Sequence, residues 1–169
     1  MFIAHLPAGY LATRALRPRL PRDQWGRLLA VALICSVLPD ADLLWFYLVD
    51  HRQTEHHAYV THWPLFWVAL ALAAVLLPWG RRRAAAQTLI GTGLICLLLH
   101  MAMDSFAATI FWLRPFSDLH LNVVEVPARF DWWVWNFIFH WTFAVEFAIC
   151  ITACVVAWQT RGTRNAAQA

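Results

Sequence analysis

Four runs of apolar residues along this chain are each long enough to cross a bilayer as a helix, which takes about 20 residues. They extend approximately over residues 28–49, 63–79, 88–113 and 132–158. Before them lies a short apolar start, Met1 to Leu16, followed by arginines and the prolines Pro18 and Pro21. The charges there stand on the wrong side of the apolar stretch, and no small-residue cleavage site follows, so it does not read as a secretory signal. The pattern predicts an all-α polytopic membrane protein: four transmembrane helices in one domain over residues 1–169, preceded by a short N-terminal interfacial or re-entrant helix.

Composition points the same way. Hydrophobic residues make up 61% of the chain and charged residues only 14%, against roughly 25% charged in an ordinary soluble domain. The 11 Trp and 11 Phe exceed what a core of this size buries, and a bilayer would absorb the excess. All 13 basic residues are arginine. They gather at the ends of the apolar runs, as in membrane proteins, and nucleic acid is not an expected partner. Ten arginines (14, 17, 19, 22, 27, 81–83, 161 and 164) fall on one side of the predicted spans and three (52, 114 and 129) on the other. The positive-inside rule then puts both termini in the cytoplasm and the loops at 50–62 and 114–131 outside. Tryptophans at positions 63, 79, 132, 133, 135 and 158 flank the second and fourth runs as an aromatic belt. Cys35, Cys96, Cys150 and Cys154 lie within apolar runs and read as small hydrophobes rather than a disulfide framework.

A plain anchor would avoid ionisable groups, yet the predicted spans contain Asp40, Asp42, His100, Asp104, His140 and Glu146. Three unpaired Asp at helix centres would cost roughly 8 to 10 kcal/mol, so something must compensate them. A helical rise of about 1.5 Å per residue puts Asp40, His100 and His140 in the outer half of the bilayer. The first outer loop supplies His51, Glu55, His56, His57 and His62 at the same level. His100 and Asp104 are four apart, on one helix face, and could ligate one ion. Asp40 and Asp42 are two apart and would diverge on a regular helix, but Pro39 disturbs that geometry. Imidazole with carboxylate suits zinc, and also manganese or iron. His51 and His120 read as solvated loop residues. His56, His140 and Glu146 are candidates to support the ligands from behind. Arg52 and Arg114, at the outer surface, are candidates to hold an anionic head group.

These residues resemble the inner-membrane metal-dependent hydrolases, a group that includes LexA-regulated membrane proteins. The likeness rests on HLPAGY near the start, LPDAD at 38–42, the histidines of HHAYVTHWPLF, and HMAMD followed by WLRPFS, covering about residues 5 to 117. In that family the loop motif reads His-Arg-Gly and then Thr-His-Ser. Here His57-Ala58-Tyr59 and Thr61-His62-Trp63 keep the histidine spacing but lack the Arg, Gly and Ser, which bears on substrate contacts more than on metal ligation. The resemblance implies His5, Asp40, Asp42, His57, His62, His100 and Asp104 as site residues. His5 precedes the basic stretch, so it reaches the others only if residues 1–13 dip into the membrane.

The resulting expectation is an inner-membrane hydrolase with a divalent metal, zinc foremost, in the outer half of the bundle. Asp40, Asp42 or Asp104 would act as general base on an ester or phosphoester, with a membrane lipid as substrate. Two other classes fit the same residues: a metal-ion or proton transporter, and a non-catalytic membrane partner whose polar groups hold the helices together. Assembly into a homo-oligomer is left open.

Overall fold

The computed structural model describes residues 3–166. It is mostly helical, with α1 His5–Leu16, α2 Trp25–Cys35, α3 Leu43–Leu48, α4 Pro64–Leu76, α5 Arg83–Asp104, α6 Trp133–Ile138 and α7 Thr142–Ala166. The expectation of an all-α chain needs one correction. Ile110–Phe111 (β1) and His120–Leu121 (β2) form a small antiparallel ribbon, with Ile110 opposite Leu121 and Phe111 opposite His120.

Among the described residues, two helices are long and apolar enough to span a membrane, within Gly80–Asp104 and Thr142–Thr160, and the bent pair Arg22–Cys35 and Pro39–Leu48 makes a third candidate. The structure therefore does not reproduce four continuous spans, and each departure has a local cause. The first run breaks at Pro39, which has no N–H to continue the helical ladder. Residues 39–42 form a 3₁₀ turn, and the two halves meet at a 45° bend. The second run is cut short at Leu76, because Pro78 forces Leu77 into an extended conformation. The resulting α4 is about 20 Å long, less than the roughly 30 Å hydrocarbon thickness.

The third helix stops at Asp104 instead of Leu113. Ala107 and Ala108 both donate to the Asp104 carbonyl, closing the turn. Beyond it, Thr109, Ile110, Phe111 and Trp112 are β-branched or aromatic and favour extended backbone. The fourth run divides at residues 139–141 into α6 and α7, and the Asn136 side chain, accepting from the Arg129 and Phe130 amides at 2.7 and 2.8 Å, ties α6 to the preceding loop.

Central α5 packs against α1, α2 and α4, while α1 also touches α7. Leu28, Ala32, Cys96 and Met101 fill the shared interior. The outer faces are apolar too: Leu76 is 81% exposed and Trp158 77%, an arrangement that hydrocarbon stabilises and water does not. All four cysteines are free thiols.

Helix α1 runs from the end of the bundle that holds Asp104 toward the basic segment, with the buried Gly9 against Ser36 at the end of α2. No side chain of its own caps it. Buried Glu146 of α7 accepts instead from the Ile3 amide at 2.6 Å and the Ala4 amide at 3.3 Å, placing a carboxylate where the helix dipole is positive. Glu146→Ala should therefore leave buried donors unpaired, lower stability by about 1 to 3 kcal/mol, and weaken the seating of His5. Thermal unfolding and metal content of the same preparation would check both effects.

Candidate metal centre

The ends of five segments converge on one polar cluster. His5 begins α1, and Asp40 and Asp42 sit in the 3₁₀ turn opened by Pro39. His56 and His57 come from the following loop, and His62 closes a second 3₁₀ turn just ahead of Pro64. His100 and Asp104 form the last turn of α5. Helical dihedrals place those two on one face, with His100 Nε2 2.9 Å from Asp104 Oδ2. His5 stacks on His100 with ring centroids 3.8 Å apart and brings Nε2 within 3.1 Å of Asp104 Oδ1. The segment expected to dip toward the other candidates does bring His5 among them.

Hydrogen bonds behind the rings decide which nitrogen faces inward. His100 Nδ1 lies 2.8 Å from the Ser36 carbonyl oxygen, which can only accept, so Nδ1 carries a proton and in the neutral ring Nε2 presents the lone pair. His62 Nδ1 is 2.9 Å from Asp42 Oδ2 and is held the same way. His56 Nδ1 stands 2.9 Å from the other Asp42 oxygen, and Thr61 Oγ1 also donates to Asp42. Asp42 thus orients His62 by a hydrogen bond and stands in ion-pair range of His56 Nδ1, which leaves the Nε2 atoms of both rings near Asp40, an arrangement like that of metal-bound imidazoles.

Asp40 occupies that point. Its Oδ1 is 3.4 Å from His56 Nε2, 3.6 Å from His100 Nε2 and 3.7 Å from His62 Nε2. Donors about 2.0 to 2.1 Å from a tetrahedral zinc stand about 3.3 Å from one another, so the spacing fits a shared ion. The nitrogens of His62 and His100 give a second, independent sign, since both Nε2 atoms are buried and make no hydrogen bond. His100 Nε2, 2.9 Å from Asp104 Oδ2, pairs with the carboxylate when the ring is protonated, and in the neutral ring the two atoms are placed to share a cation. His57 stands further off, its Nε2 3.9 Å from Asp104 Oδ2. Among the described residues, three sets bring their donor atoms within 4.8 Å of one another: His56, His57 and His62; His5, Asp40 and His100; and His62, His100 and Asp104.

Two loop histidines are pushed in opposite directions. Burial alone would lower the pKa of His56, but Asp40 and Asp42 outweigh it and raise the value to about 9. At His57 burial prevails over the more distant Asp104 and lowers it to about 3. A raised value means that protonated His56 stabilises the fold below its unfolded pKa near 6.5, and that this contribution fades as pH rises through about 9. Metal-free protein should therefore melt at a lower temperature at pH 9 than at pH 6.5. Replacing His56 with glutamine should flatten that slope in a thermal melt series.

A cleft of about 490 Å3 opens from His56 and His57, with Phe46, Trp133 and Phe137 among its walls. A smaller chamber of about 110 Å3 continues inward to Asp40. Asp40 is 28% exposed, whereas Asp42 and Asp104 are 6% and 1% exposed, so Asp40 is the carboxylate that meets the cleft. Sequence reasoning did not single out Phe46, Phe137 or Ser36, and it named Trp133 only as part of the aromatic belt and Thr61 only within the Thr61-His62-Trp63 motif. The remaining candidates lie elsewhere. His140 Nδ1 is 3.0 Å from Thr142 Oγ1, and Glu146 accepts from the amides at the start of α1. Arg114 donates to Asp118 and, at 3.4 Å, to the Ala58 carbonyl beside His57, and lies 3.6 Å over the Phe111 ring, so it braces the loop that carries the histidines. Arg52 is exposed on the loop at positive φ, and neither arginine lines the cleft.

No curated protein and no solved structure matches the chain. The model of one family, described as YdjM inner membrane protein, matches residues 1–167, nearly the whole length. The apolar helices, the lipid-suited outer faces and this match agree, and the chain belongs to the YdjM inner membrane protein family.

Proposed function

We propose that this protein is a multi-pass, metal-dependent hydrolase of the inner membrane, acting on the ester or phosphoester of a membrane lipid. The observation that carries the reading is the pair of buried, unbonded Nε2 atoms of His62 and His100, aimed with carboxylates at one point beside a cleft. His56, His62, His100, Asp40 and Asp104 would hold a divalent ion, zinc foremost and manganese or iron as alternatives, with His5 and His57 at its margin. Such an ion acidifies water and polarises the bond under attack.

The chain's own groups supply the rest. Asp42 keeps His56 and His62 in the required tautomer. Asp40, at the cleft, takes the proton of the attacking water, whose oxygen joins the acyl or phosphoryl group while the proton passes to the leaving oxygen. The apolar cleft walls favour a lipid chain over bulk water. Confinement of the cluster to one end of the bundle favours a reaction centre over the conduction path of a transporter. The arginine count would turn this end outward, and because α1 starts at His5 within the cluster, the beginning of the described chain would lie at that same end.

Purified protein incubated with inner-membrane lipids should release a head group or fatty acid, and a chelator should stop the release. Hydrolysis that persists at the same rate in chelator or in Asp40→Asn would overturn the reading.

A further inference from the structure

The charged groups around the cleft differ from those that an anionic substrate would select. Beside His56 and His57 at its base, the ionisable side chains lining it are the carboxylates of Glu55 and Glu125, and no arginine lines it. Both are exposed at the rim. Glu125 is brought there by the ribbon, as Val123 and Val124 donate to the Ser105 and Phe106 carbonyls at the end of α5. Arg114, a basic side chain of the neighbouring loop, is engaged by Asp118, by the Ala58 carbonyl at 3.4 Å and by the face of Phe111, and does not line the cleft.

We infer that the cleft selects a phospholipid whose head group ends in an ammonium, such as phosphatidylethanolamine, over one of net negative charge. The inference rests on the lipid-hydrolase reading of the same site and names its substrate class. Asp40, Asp42 and Asp104 already place three carboxylates at the centre, which a divalent ion offsets only in part. A lipid carrying a phosphate alone brings further negative charge past Glu55 and Glu125 and is repelled. A zwitterionic lipid brings its own cation, which Glu55 and Glu125 attract from the rim. The aromatic faces of Phe46, Trp133 and Phe137 offer the same cation a second, less hydrated contact.

The test is calorimetric binding of two short-chain phospholipids with identical acyl chains, phosphatidylethanolamine and phosphatidylglycerol, to metal-loaded protein in neutral detergent. The amine-headed lipid should bind about tenfold more tightly, the combined size expected of exposed carboxylate and cation–π contacts. In Glu55→Gln with Glu125→Gln the difference should shrink to about twofold, mostly through weaker binding of the amine-headed lipid. Equal affinities, tighter binding of phosphatidylglycerol, failure of both lipids to bind, or an unchanged ratio in the double variant would overturn the inference. Parallel hydrolysis assays separate it from the reading on which it rests. Turnover of both lipids without preference keeps the hydrolase and removes the selectivity, while selective binding without turnover does the reverse.

Discussion

Replacing His62 with alanine should strip the metal from the purified protein and abolish hydrolysis, whereas Asp42→Asn should only weaken both. His62 is completely buried, its Nδ1 is fixed by Asp42, and its Nε2 is directed at Asp40. Alanine removes a ligand outright, so metal affinity should fall by more than 100-fold, beyond the 10- to 100-fold loss usual for a supporting partner. If the ion contributes several kcal/mol to the transition state, turnover should drop by about 10³-fold or more. Asn at position 42 still accepts a hydrogen bond from one imidazole but lacks the charge that steadies both. Its loss should stay within the 10- to 100-fold range and be recovered in part by excess metal. Metal titrations of the two variants beside the wild type would separate these roles, and equal losses would mean that Asp42 is itself a ligand.

Gly9→Ala should disturb the same centre without touching any polar group. A Cβ at position 9 would lie 2.6 Å from Ser36 Cβ and 2.7 Å from Ser36 Oγ, closer than real contacts allow. Rotation of the Ser36 side chain can move Oγ but not Cβ, so the backbone at the close of α2 must give way. Overpacking of this kind costs about 1 to 3 kcal/mol. The Ser36 carbonyl is the acceptor that orients His100, and His5 lies one turn before Gly9 on α1. The substitution should therefore lower thermal stability and metal affinity together. Ser36→Gly in the same chain removes the clashing atoms and should restore most of the metal binding. Failure of that rescue, with a stable fold, would show that α1 does not control the site.

How far the sequence announces this structure differs from element to element. The apolar helices are legible because lipid-facing surface must be apolar over most of its length, whatever the packing. Their ends are less so. Residues 105–113 are as apolar as the helix before them, and hydropathy alone does not separate a buried helical turn from the Ile110–Phe111 strand. The same limit hides the break at 139–141, where one aromatic residue follows another. Pro39 and Pro78 did carry information, the first as a break beside the carboxylates and the second as the stop of α4, although the run containing Pro78 had been expected to continue to Trp79.

At the centre, the i, i+4 spacing brings His100 and Asp104 together for a reason that any helix obeys. The gathering of His5 was implied by resemblance alone, since the arginines after it gave no sign of a helix returning to the cluster. Spacing could not say which of Asp40 and Asp42 faces the cleft. That depends on the 3₁₀ turn, which points Asp42 at the Nδ1 atoms of two histidines and leaves Asp40 among the Nε2 atoms. The cleft role of Phe46, Trp133, Phe137 and Glu125 was not legible, because Phe46 lies about eighty residues or more before the others and none of them carries a motif.

The most direct test of the account is elemental analysis of detergent-purified protein, run beside a variant in which His100 and Asp104 are both alanine. The account predicts about one or more zinc, manganese or iron ions per chain in the wild type. It predicts their loss in the variant, with helical content by circular dichroism preserved. A wild-type protein that holds no metal, even after reconstitution with each of the three ions, would contradict it and leave the histidines and carboxylates as a pairing network between helices.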